Sequence, residues 1–545
     1  MRTLWKTLML VYHCDRKAFW TRLFLVALQS VLPLFNLIVL KELIDSVTTH
    51  ALSGDSAGVP AEVGLYVLCF CAIFLVNRLV STWNGVNNDI MSQKLIDYMS
   101  DLIQNQSARL DMDFYDNPDF HDTFHRAQQE SSFRPIQVLN NFMSLFGSIL
   151  SIATIVVMMA AASWWIILVM ILAVIPSFFL RLVKARSIYG FRRKNTQNYR
   201  RTSYYSALLT HRDFAKEMRV FGLAPFFRSR FVDIRKQLVA TLLHISRRLA
   251  RFDIVCAIIE TAALMLVLAL LLRQAFVGAL SIGLFVMLFE AFRRGQGYMQ
   301  TLVTSIATLY DNRLFASNIF DFLKLQPLIR SCEHPATFPS KIETVRFQDV
   351  SFRYPNMDHD VLHNFNLSAH VGEICRIEGE NGYGKTTAIK LLMRLHDPQK
   401  GTILINGIDI RQFNIEELRR SVGVIFQDFV RFQCTLKENI AFGNVKNMDD
   451  QQRLQMVASM SGADLAMGKM RHGYDTLLGR MFDGGEELSM GQWQRVALAR
   501  QLYSDAPILV FDEPTAWLDA TSRQHFYETL QSLQNDKIII LIHHI

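Results

Sequence analysis

The sequence predicts an all-α membrane domain of six helices, followed by an α/β domain that carries a phosphate-binding loop. Long apolar runs fill roughly the first 300 residues, and they are long enough to cross a bilayer. After Pro327, short β-rich runs alternate with helical patterns, which is typical of a parallel sheet. The predicted boundaries are 1–325 for the membrane domain, 326–343 for a linker and 344–545 for the α/β domain.

The composition is that of a mixed chain. Half of the 545 residues are hydrophobic and 19% are charged, which is too apolar for a wholly soluble protein. The formal net charge is +8. We attribute this excess to the cytoplasmic side of a membrane protein and not to nucleic-acid binding. The seven Cys are scattered without a CxxC pair, so neither a zinc signature nor a disulfide framework is indicated.

Six segments are predicted to span the membrane as helices, because each offers about 20 mostly apolar residues. They are 19–41, 63–83, 142–163, 165–185, 252–275 and 279–300. The connections after the second and the fourth helix are about 60 residues long and contain few Gly or Pro, so we expect their helices to continue beyond the bilayer.

Lys and Arg set the predicted orientation. The N-terminal segment and the stretch after the fourth helix are basic, whereas the loop after the first helix has one basic residue and four acidic ones. The sequence therefore predicts a multi-pass protein of the cell (inner or plasma) membrane. Its N-terminus, its two long connections and its α/β domain are expected in the cytoplasm.

The sixth span carries three charged residues, Glu290, Arg293 and Arg294. Their i+3 and i+4 spacing permits a local ion pair that satisfies itself. Because intramembrane charge is costly, the same residues are also candidates for the polar wall of a substrate pathway. The sequence leaves both interpretations open and slightly favours the pathway.

The segment GENGYGKTT lies between a predicted strand and a predicted helix, which is the context that a P-loop requires. Its glycines let backbone N–H groups face phosphate oxygens, and the helix N-terminus adds a positive dipole end. Lys385 is predicted to reach the terminal phosphates and Thr386 to ligate Mg²⁺. The predicted nucleotide-binding residues here are Gly379, Glu380, Asn381, Gly382, Tyr383, Gly384, Lys385, Thr386 and Thr387.

A second nucleotide motif is the segment APILVFDEPT, in which four apolar residues precede Asp512. A carboxylate at the carboxyl end of a buried strand can hold the Mg²⁺ shell. Glu513 follows and is the candidate residue for polarising the attacking water.

The segment LSMGQWQRVALAR, which comes just before this strand, resembles the signature sequence of ATP-binding cassette (ABC) proteins. Six membrane helices followed by such a cassette resemble a bacterial ABC exporter half-transporter over nearly the whole chain. The resemblance implies that Ser489, Gly491 and Gln492 close on the γ-phosphate of ATP held by a second subunit.

The same resemblance assigns further residues one at a time. Tyr354 matches the residue that stacks on adenine, and Gln427 matches the glutamine that touches Mg²⁺. Asp519 matches an aspartate of the intersubunit loop, and His544 matches the switch histidine, with His543 as the neighbouring alternative. The stretches DNPDFHDTF and RDFAKEMRVFGL look like coupling helices that press on the cassettes.

Two departures from the family pattern stand out. Met490 occupies a signature position that is usually Gly, which costs backbone freedom. The chain also ends one residue after His544, where the family usually continues, so we expect either a truncated sequence or an unusual cassette edge.

The predicted function is ATP-driven export of an amphipathic or hydrophobic substrate, namely a modified peptide, a lipid or a drug. The chain is predicted to hydrolyse ATP with Mg²⁺ and to work in the lipid bilayer as a dimer by alternating access, with a homodimer favoured. One alternative is a subunit of a heterodimeric exporter with an unequal partner. The other is a regulatory membrane ATPase that does not transport.

Overall fold

The computed structural model describes residues 2–53, 60–117, 124, 127–128, 131, 133–160, 164–355, 357–380, 383–468, 470–515 and 517–543. The chain divides into two compact units. Unit 1 contains residues 1–108 and 123–324, and unit 2 contains residues 109–122 and 325–545. The short stretch 109–122 therefore groups with the C-terminal unit, although it lies inside the predicted membrane domain.

The N-terminal part of the chain is helical. Its helices are α1 (Arg2–Cys14), α2 (Arg16–Ser53), α3 (Ala61–Arg109), α4 (Met112–Tyr115), α5 (Arg134–Ala160), α6 (Trp164–Lys194), α7 (Thr196–Thr210), α8 (Ala215–Val220), α9 (Ala224–Phe276) and α10 (Ile282–Leu323). Helices α3 and α9 have 49 and 53 residues. At about 1.5 Å per residue, each is more than twice as long as a bilayer core is thick. Both helices are therefore long enough to continue beyond the membrane, and that they do so stays a prediction.

Five helices of the described residues are long and apolar enough to cross a membrane: α2, α3, α5, α6 and α9. The sixth predicted span lies in α10, which has 42 residues but is not among these five. The reason is that Glu290, Arg293 and Arg294 interrupt its apolar segment. The sixth predicted span carries three charges, and its crossing of the bilayer therefore stays a prediction.

The core of unit 1 lies between α2, α5, α6, α9 and α10. It is formed by buried residues that include Leu37, Met159, Met170, Leu271 and Phe292. Helices satisfy their own backbone hydrogen bonds, which is the condition for placing them in lipid.

Unit 2 contains two four-stranded sheets. Its strands are β1 (Thr344–Phe352), β2 (Leu362–His370), β3 (Ile374–Glu378), β4 (Lys400–Ile405), β5 (Ile408–Asp409), β6 (Val422–Ile425), β7 (Ile508–Asp512) and β8 (Ile538–His543). The first sheet is antiparallel in the order β2-β1-β4-β5. The second is parallel in the order β3-β8-β7-β6. Every residue of β7 is buried, as expected for a parallel strand covered on both faces.

The helices of unit 2 complete the α/β domain. They are α11 (Lys385–Leu392), α12 (Ile415–Ser421), α13 (Leu436–Ala441), α14 (Gln451–Ser461), α15 (Asp464–Met467), α16 (Met490–Tyr503) and α17 (Ala520–Leu533). Helices α13, α14 and α16 share a separate apolar core around Trp493 and Tyr503. The α/β class and the helical membrane class predicted from the sequence are both confirmed.

Candidate functional site

The parallel sheet brings the predicted nucleotide residues to one edge. The P-loop follows β3, Asp512 ends β7 and His543 ends β8. Gln427 lies two residues beyond the end of β6. Because carboxyl ends of parallel strands lie at the same edge, residues that are far apart in sequence become neighbours there.

Gly384 closes the P-loop in a backbone conformation that other residues rarely adopt. Its φ is +77°, and a Cβ at this position would lie 2.7 Å from the Val361 carbonyl oxygen. Only glycine combines this dihedral with so close an approach. The residue is the N-cap of α11, so the loop leads directly into a helix N-terminus. Asn381 and Gly382 lie outside the described residues.

Lys385 is 7% exposed, and its ammonium group lies across the loop. Its Nζ donates hydrogen bonds to the carbonyl oxygens of Gly379 and His543, the second at 3.3 Å. The charge is therefore held against the loop that cradles phosphate. A lysine at this position supplies a compact cation for the terminal phosphates.

Thr386 and Asp512 form the centre predicted for Mg²⁺. The Thr386 hydroxyl donates to Asp512 Oδ2 at 2.7 Å, and Asp512 is 2% exposed. A hydroxyl and a carboxylate are the hard oxygen ligands that Mg²⁺ prefers. The described residues contain no cluster of three or more His, Cys, Asp or Glu that could hold a metal alone. An ion at this pair would therefore complete its shell with phosphate and water.

Glu513 and Gln427 are in direct contact. Gln427 Nε2 donates to Glu513 Oε2 at 3.0 Å. Glu513 has a φ of +51°, a left-handed conformation that is strained for a residue with a side chain. Strain of this kind persists where the surrounding structure fixes it, and it is concentrated at functional sites.

Tyr354 lies beside the P-loop helix. Its hydroxyl is 3.2 Å from Thr387 Oγ1, and Lys390 Nζ lies 5.4 Å from its ring centroid. The structure thus places a predicted adenine-stacking ring next to a predicted phosphate-binding residue.

His543 is the described member of the histidine pair, and His544 lies outside the described residues. His543 Nε2 is 2.8 Å from the Tyr527 hydroxyl, and the two rings stack. Burial, helped by the nearby Arg376 charge, lowers the pKa of His543 below its ordinary value. Its ring is therefore held in the neutral form near pH 7.

The signature residues begin another helix, α16. Ser489 and Gln492 form a reciprocal capping box, with Ser489 N donating to Gln492 Oε1 at 2.8 Å. The sulfur of Met490 accepts a hydrogen bond from Arg431 Nη1 at 3.6 Å. Asp519 similarly caps α17, and its hydrogen bonds with Ser522 lower its pKa.

Gly491 lies close to the loop after β7, so an added side chain there is expected to destabilise unit 2. A Cβ at Gly491 would lie 2.8 Å from the Trp517 carbonyl oxygen. We expect Gly491→Ala to destabilise unit 2 by about 1–3 kcal/mol, the usual cost of overpacking. A thermal unfolding curve of the purified protein checks this value. Gly468→Ala is the control, because nothing lies within 4 Å of its added Cβ. Equal midpoints for the two variants would contradict the prediction.

One cluster in unit 2 was not found from the sequence. We call it the histidine clasp: His396, Asp113 and Asp116. The His396 ring is fully buried, its Nδ1 is hydrogen-bonded to Asp113 Oδ1, and its Nε2 lies 3.4 Å from Asp116 Oδ2. Asp111, in the same stretch, accepts hydrogen bonds from the backbone N–H groups of Leu328 and Ile329. The clasp holds the stretch after α3 within unit 2, and it joins residues 283 positions apart.

The stretches predicted to be coupling helices are placed as follows. Of the first, residues 116, 117 and 124 are described and 118–123 lie outside the described residues. The second forms a short 3₁₀ turn (Arg212–Phe214) followed by α8. The clasp partner Asp116 is the first residue of the first stretch.

The charged residues of α10 pair with each other. Arg293 donates to both Glu290 carboxylate oxygens, at 3.1 and 2.9 Å, and Arg294 Nε lies 3.7 Å from the same carboxylate. Arg294 also donates to the Pro33 carbonyl oxygen at 3.3 Å. This is the local ion pair that the spacing allowed. A role in a substrate pathway stays a prediction.

The comparisons with known proteins agree with these motifs. Residues 362–516 match the ABC transporter family. The subtilin transport ATP-binding protein SpaT of Bacillus subtilis is 28% identical, over 100% of this chain and 88% of its own length. The chain is an ABC transporter. The match along its full length makes it a homologue of bacterial half-transporter exporters, in which a membrane domain precedes the cassette.

Two further similarities support the same architecture for this ABC transporter. The nisin transport ATP-binding protein NisT of Lactococcus lactis subsp. lactis is 26% identical, over 99% of this chain and 89% of that protein. A bacterial Atm1-family ABC exporter solved with ATP bound has the same fold, with a TM-score of 0.80. The two sequences are 21% identical, and the match covers 98% of this chain and 91% of the chain of that structure. The transporter is thus an ATP-driven exporter in which unit 2 is the ATP-binding cassette.

Proposed function

We propose that this exporter moves a modified peptide out of the cytoplasm or the inner leaflet. One observation carries the substrate class. Two relatives that align along nearly the whole chain, membrane domain included, are named for transport of subtilin and nisin, which are peptides. The membrane domain is the part of an exporter that contacts substrate, so similarity there bears on substrate class more than similarity of cassettes.

The proposal includes a homodimer in the cell membrane. Each chain has one P-loop and one signature. The P-loop leads into α11, and the signature begins α16. In the resembling family, ATP lies between the P-loop of one subunit and the signature of the other, so two chains form two complete sites. The basic N-terminus and the basic stretch after the fourth span support a cytoplasmic location for these segments and for the cassette.

In the proposed cycle, the cassette residues have separate roles. The P-loop N–H groups and Lys385 bind the phosphates, and Thr386 with Asp512 would hold Mg²⁺, which would neutralise phosphate charge. Glu513 accepts a proton from the attacking water, while Gln427 orients its carboxylate. Ser489 at the N-terminus of α16 offers a positive dipole end to a γ-phosphate. Closure of the two cassettes then opens the membrane domain outward, and hydrolysis resets it.

The experiment that tests this proposal is peptide transport by the purified chain in lipid vesicles. Vesicles whose cassettes face outward should accumulate a fluorescent amphipathic peptide when Mg²⁺-ATP is added. Glu513→Gln vesicles are the matched control. Accumulation of a fluorescent phospholipid or a hydrophobic dye without accumulation of peptide would contradict the peptide assignment.

Subunit composition is tested in the same vesicles. Turnover by the single purified chain supports the homodimer. Well-folded protein that binds ATP without turnover would instead favour a heterodimer with an unequal partner. ATP turnover without transport of any probe would favour a regulatory membrane ATPase.

A further inference from the structure

Unit 1 contains a polar cleft of about 440 Å³, and none of the predicted nucleotide-binding residues lines it. We call it the arginine cleft. It is lined by residues of α2, α3, α5 and α10, among them Arg22, Asn77, Asn84, Asn140, Ser148 and Tyr298. Among the described residues that line it, Arg22 is the only charged one, and none carries a carboxylate.

The guanidinium of Arg22 is buried and mostly unpaired. Arg22 is 6% exposed. Its Nη2 donates to Asn140 Oδ1 at 2.7 Å. Its Nε and Nη1 have no hydrogen-bond partner in the part of the chain that the structure describes. Burying a charge without a partner costs several kcal/mol, so a cation in this position indicates that an anionic group completes it.

The cleft also offers acceptors. The side-chain oxygens of Asn77 and Asn84 are buried and unpaired among the described residues. Asn84 is held in place because its Nδ2 donates to Gln29 Oε1 at 3.1 Å. A ligand that fits must therefore present an oxyanion to Arg22 and N–H or O–H donors to the asparagines.

The position of the cleft suits a substrate that enters from the cytoplasmic side. Arg22 lies in the first turn of the first predicted span, and Pro33, which also lines the cleft, lies 11 residues further along α2. At about 1.5 Å per residue, the cleft follows α2 inward for about 16 Å. That length accommodates a short extended peptide segment of about five residues.

We propose that the arginine cleft binds a free carboxylate of the transported peptide, with Arg22 as its anchor. This inference rests on the proposed peptide export and specifies the group recognised. A guanidinium donates charge-assisted N–H···O bonds to a carboxylate, and the unpaired Nε and Nη1 of Arg22 are available to donate them. Peptide N–H groups satisfy the asparagine oxygens. A lipid phosphate shares the oxyanion chemistry but brings no amide donors.

The test is binding of one fluorescent amphipathic peptide, prepared without Asp or Glu, as a free acid and as a C-terminal amide. The transporter is embedded in phosphatidylcholine nanodiscs without nucleotide, and fluorescence anisotropy gives the affinities. Wild type should bind the free acid at least about tenfold more tightly than the amide, the value expected for one charge-assisted hydrogen-bond pair. Arg22→Gln should abolish this preference, and Arg22→Lys should retain part of it.

Two further variants separate recognition from folding. Asn140→Asp keeps Arg22 but places a carboxylate against its guanidinium, so the preference for the free acid should again disappear. Arg16→Gln makes the same change of charge on the same helix at an exposed side chain, and it should leave the preference intact. Size-exclusion profiles establish that each variant is folded.

The possible outcomes are distinct. Equal binding of acid and amide by wild type, or a preference that survives Arg22→Gln, would overturn the proposal for the cleft while leaving peptide export standing. Failure of wild type to bind or transport either peptide would remove the proposed function itself. If phosphatidylglycerol in the nanodisc competes away the preference for the free acid, the site takes lipid phosphate and the carboxylate assignment is wrong.

Discussion

Replacing Glu513 with Gln is expected to lower ATP turnover by about 10²–10⁴-fold while ATP still binds, because the change removes a general base without altering the shape of the side chain. Gln427 Nε2 donates a hydrogen bond to the Glu513 carboxylate at 3.0 Å. In the variant, the side-chain oxygen at position 513 can accept the same hydrogen bond. The backbone at Glu513 is strained, with φ at +51°, and strain of this kind is concentrated at functional sites.

The measurement is phosphate release by the transporter in lipid, beside binding of a fluorescent ATP analogue. Glu416→Gln is the matched control, since its exposed side chain pairs with Arg420 on the surface of α12. Turnover by Glu513→Gln within a few-fold of wild type would show that another group activates the water. Loss of ATP binding in the variant would show that Glu513 supports the fold of the site.

Replacing His396 with Ala is expected to lower the free energy of unfolding of unit 2 by about 3–5 kcal/mol, the cost of breaking a buried charge-bearing pair on one side. The ring is fully buried, and without it Asp113 loses its partner inside the histidine clasp. Phe352 and Tyr354 also pack against the ring, each with centroids 5.3 Å apart, so the substitution removes aromatic contacts as well.

A double-mutant cycle isolates the contribution of the pair. Thermal unfolding of His396→Ala, Asp113→Ala and the double variant should give an interaction energy of about 0.5–3 kcal/mol. Arg420→Ala is the control, because it breaks an exposed pair with Glu416 that is worth at most about 1 kcal/mol. Additive effects at Asp113 and His396 would contradict a clasp.

We expect the histidine clasp to affect transport as well as stability. The stretch 109–122 leaves α3 and belongs to the same compact unit as the cassette. We expect Asp113→Ala to keep basal ATP turnover near the wild-type rate and to reduce its stimulation by peptide, because the stretch then loses a fixed hold on the cassette. Phosphate release with and without peptide measures both quantities. Equal loss of basal and stimulated turnover would contradict this expectation.

Most of the nucleotide site was predictable because its chemistry resides in short consecutive segments. The P-loop needs a strand, glycines and a helix start in order, and GENGYGKTT shows all three in one window. Asp512 and Glu513 follow a run of apolar residues that had to be a buried strand. The ion pair of Glu290 with Arg293 was likewise visible, since i,i+3 neighbours on a helix meet whatever the tertiary fold.

Some features needed the tertiary structure. His396 gives no local signal, because its partners come from a stretch 283 residues earlier. Arg22 reads in the sequence as one more basic residue near the N-terminus, and only its contact with Asn140, 118 residues away, places it in a cleft. The sixth span also illustrates a limit, since its apolar pattern and its charges give opposite indications of membrane insertion.

The sequence by itself determined the class of each domain and predicted the residues of the nucleotide site, because hydrophobic period, turn chemistry and helix starts are local properties of the chain. The tertiary structure decided how Lys385 meets the His543 carbonyl, how His396 is enclosed by two aspartates and how Arg22 comes to face a cleft without a carboxylate. These contacts join distant segments, and their formation depends on which helices and strands pack together, which no short window of sequence specifies.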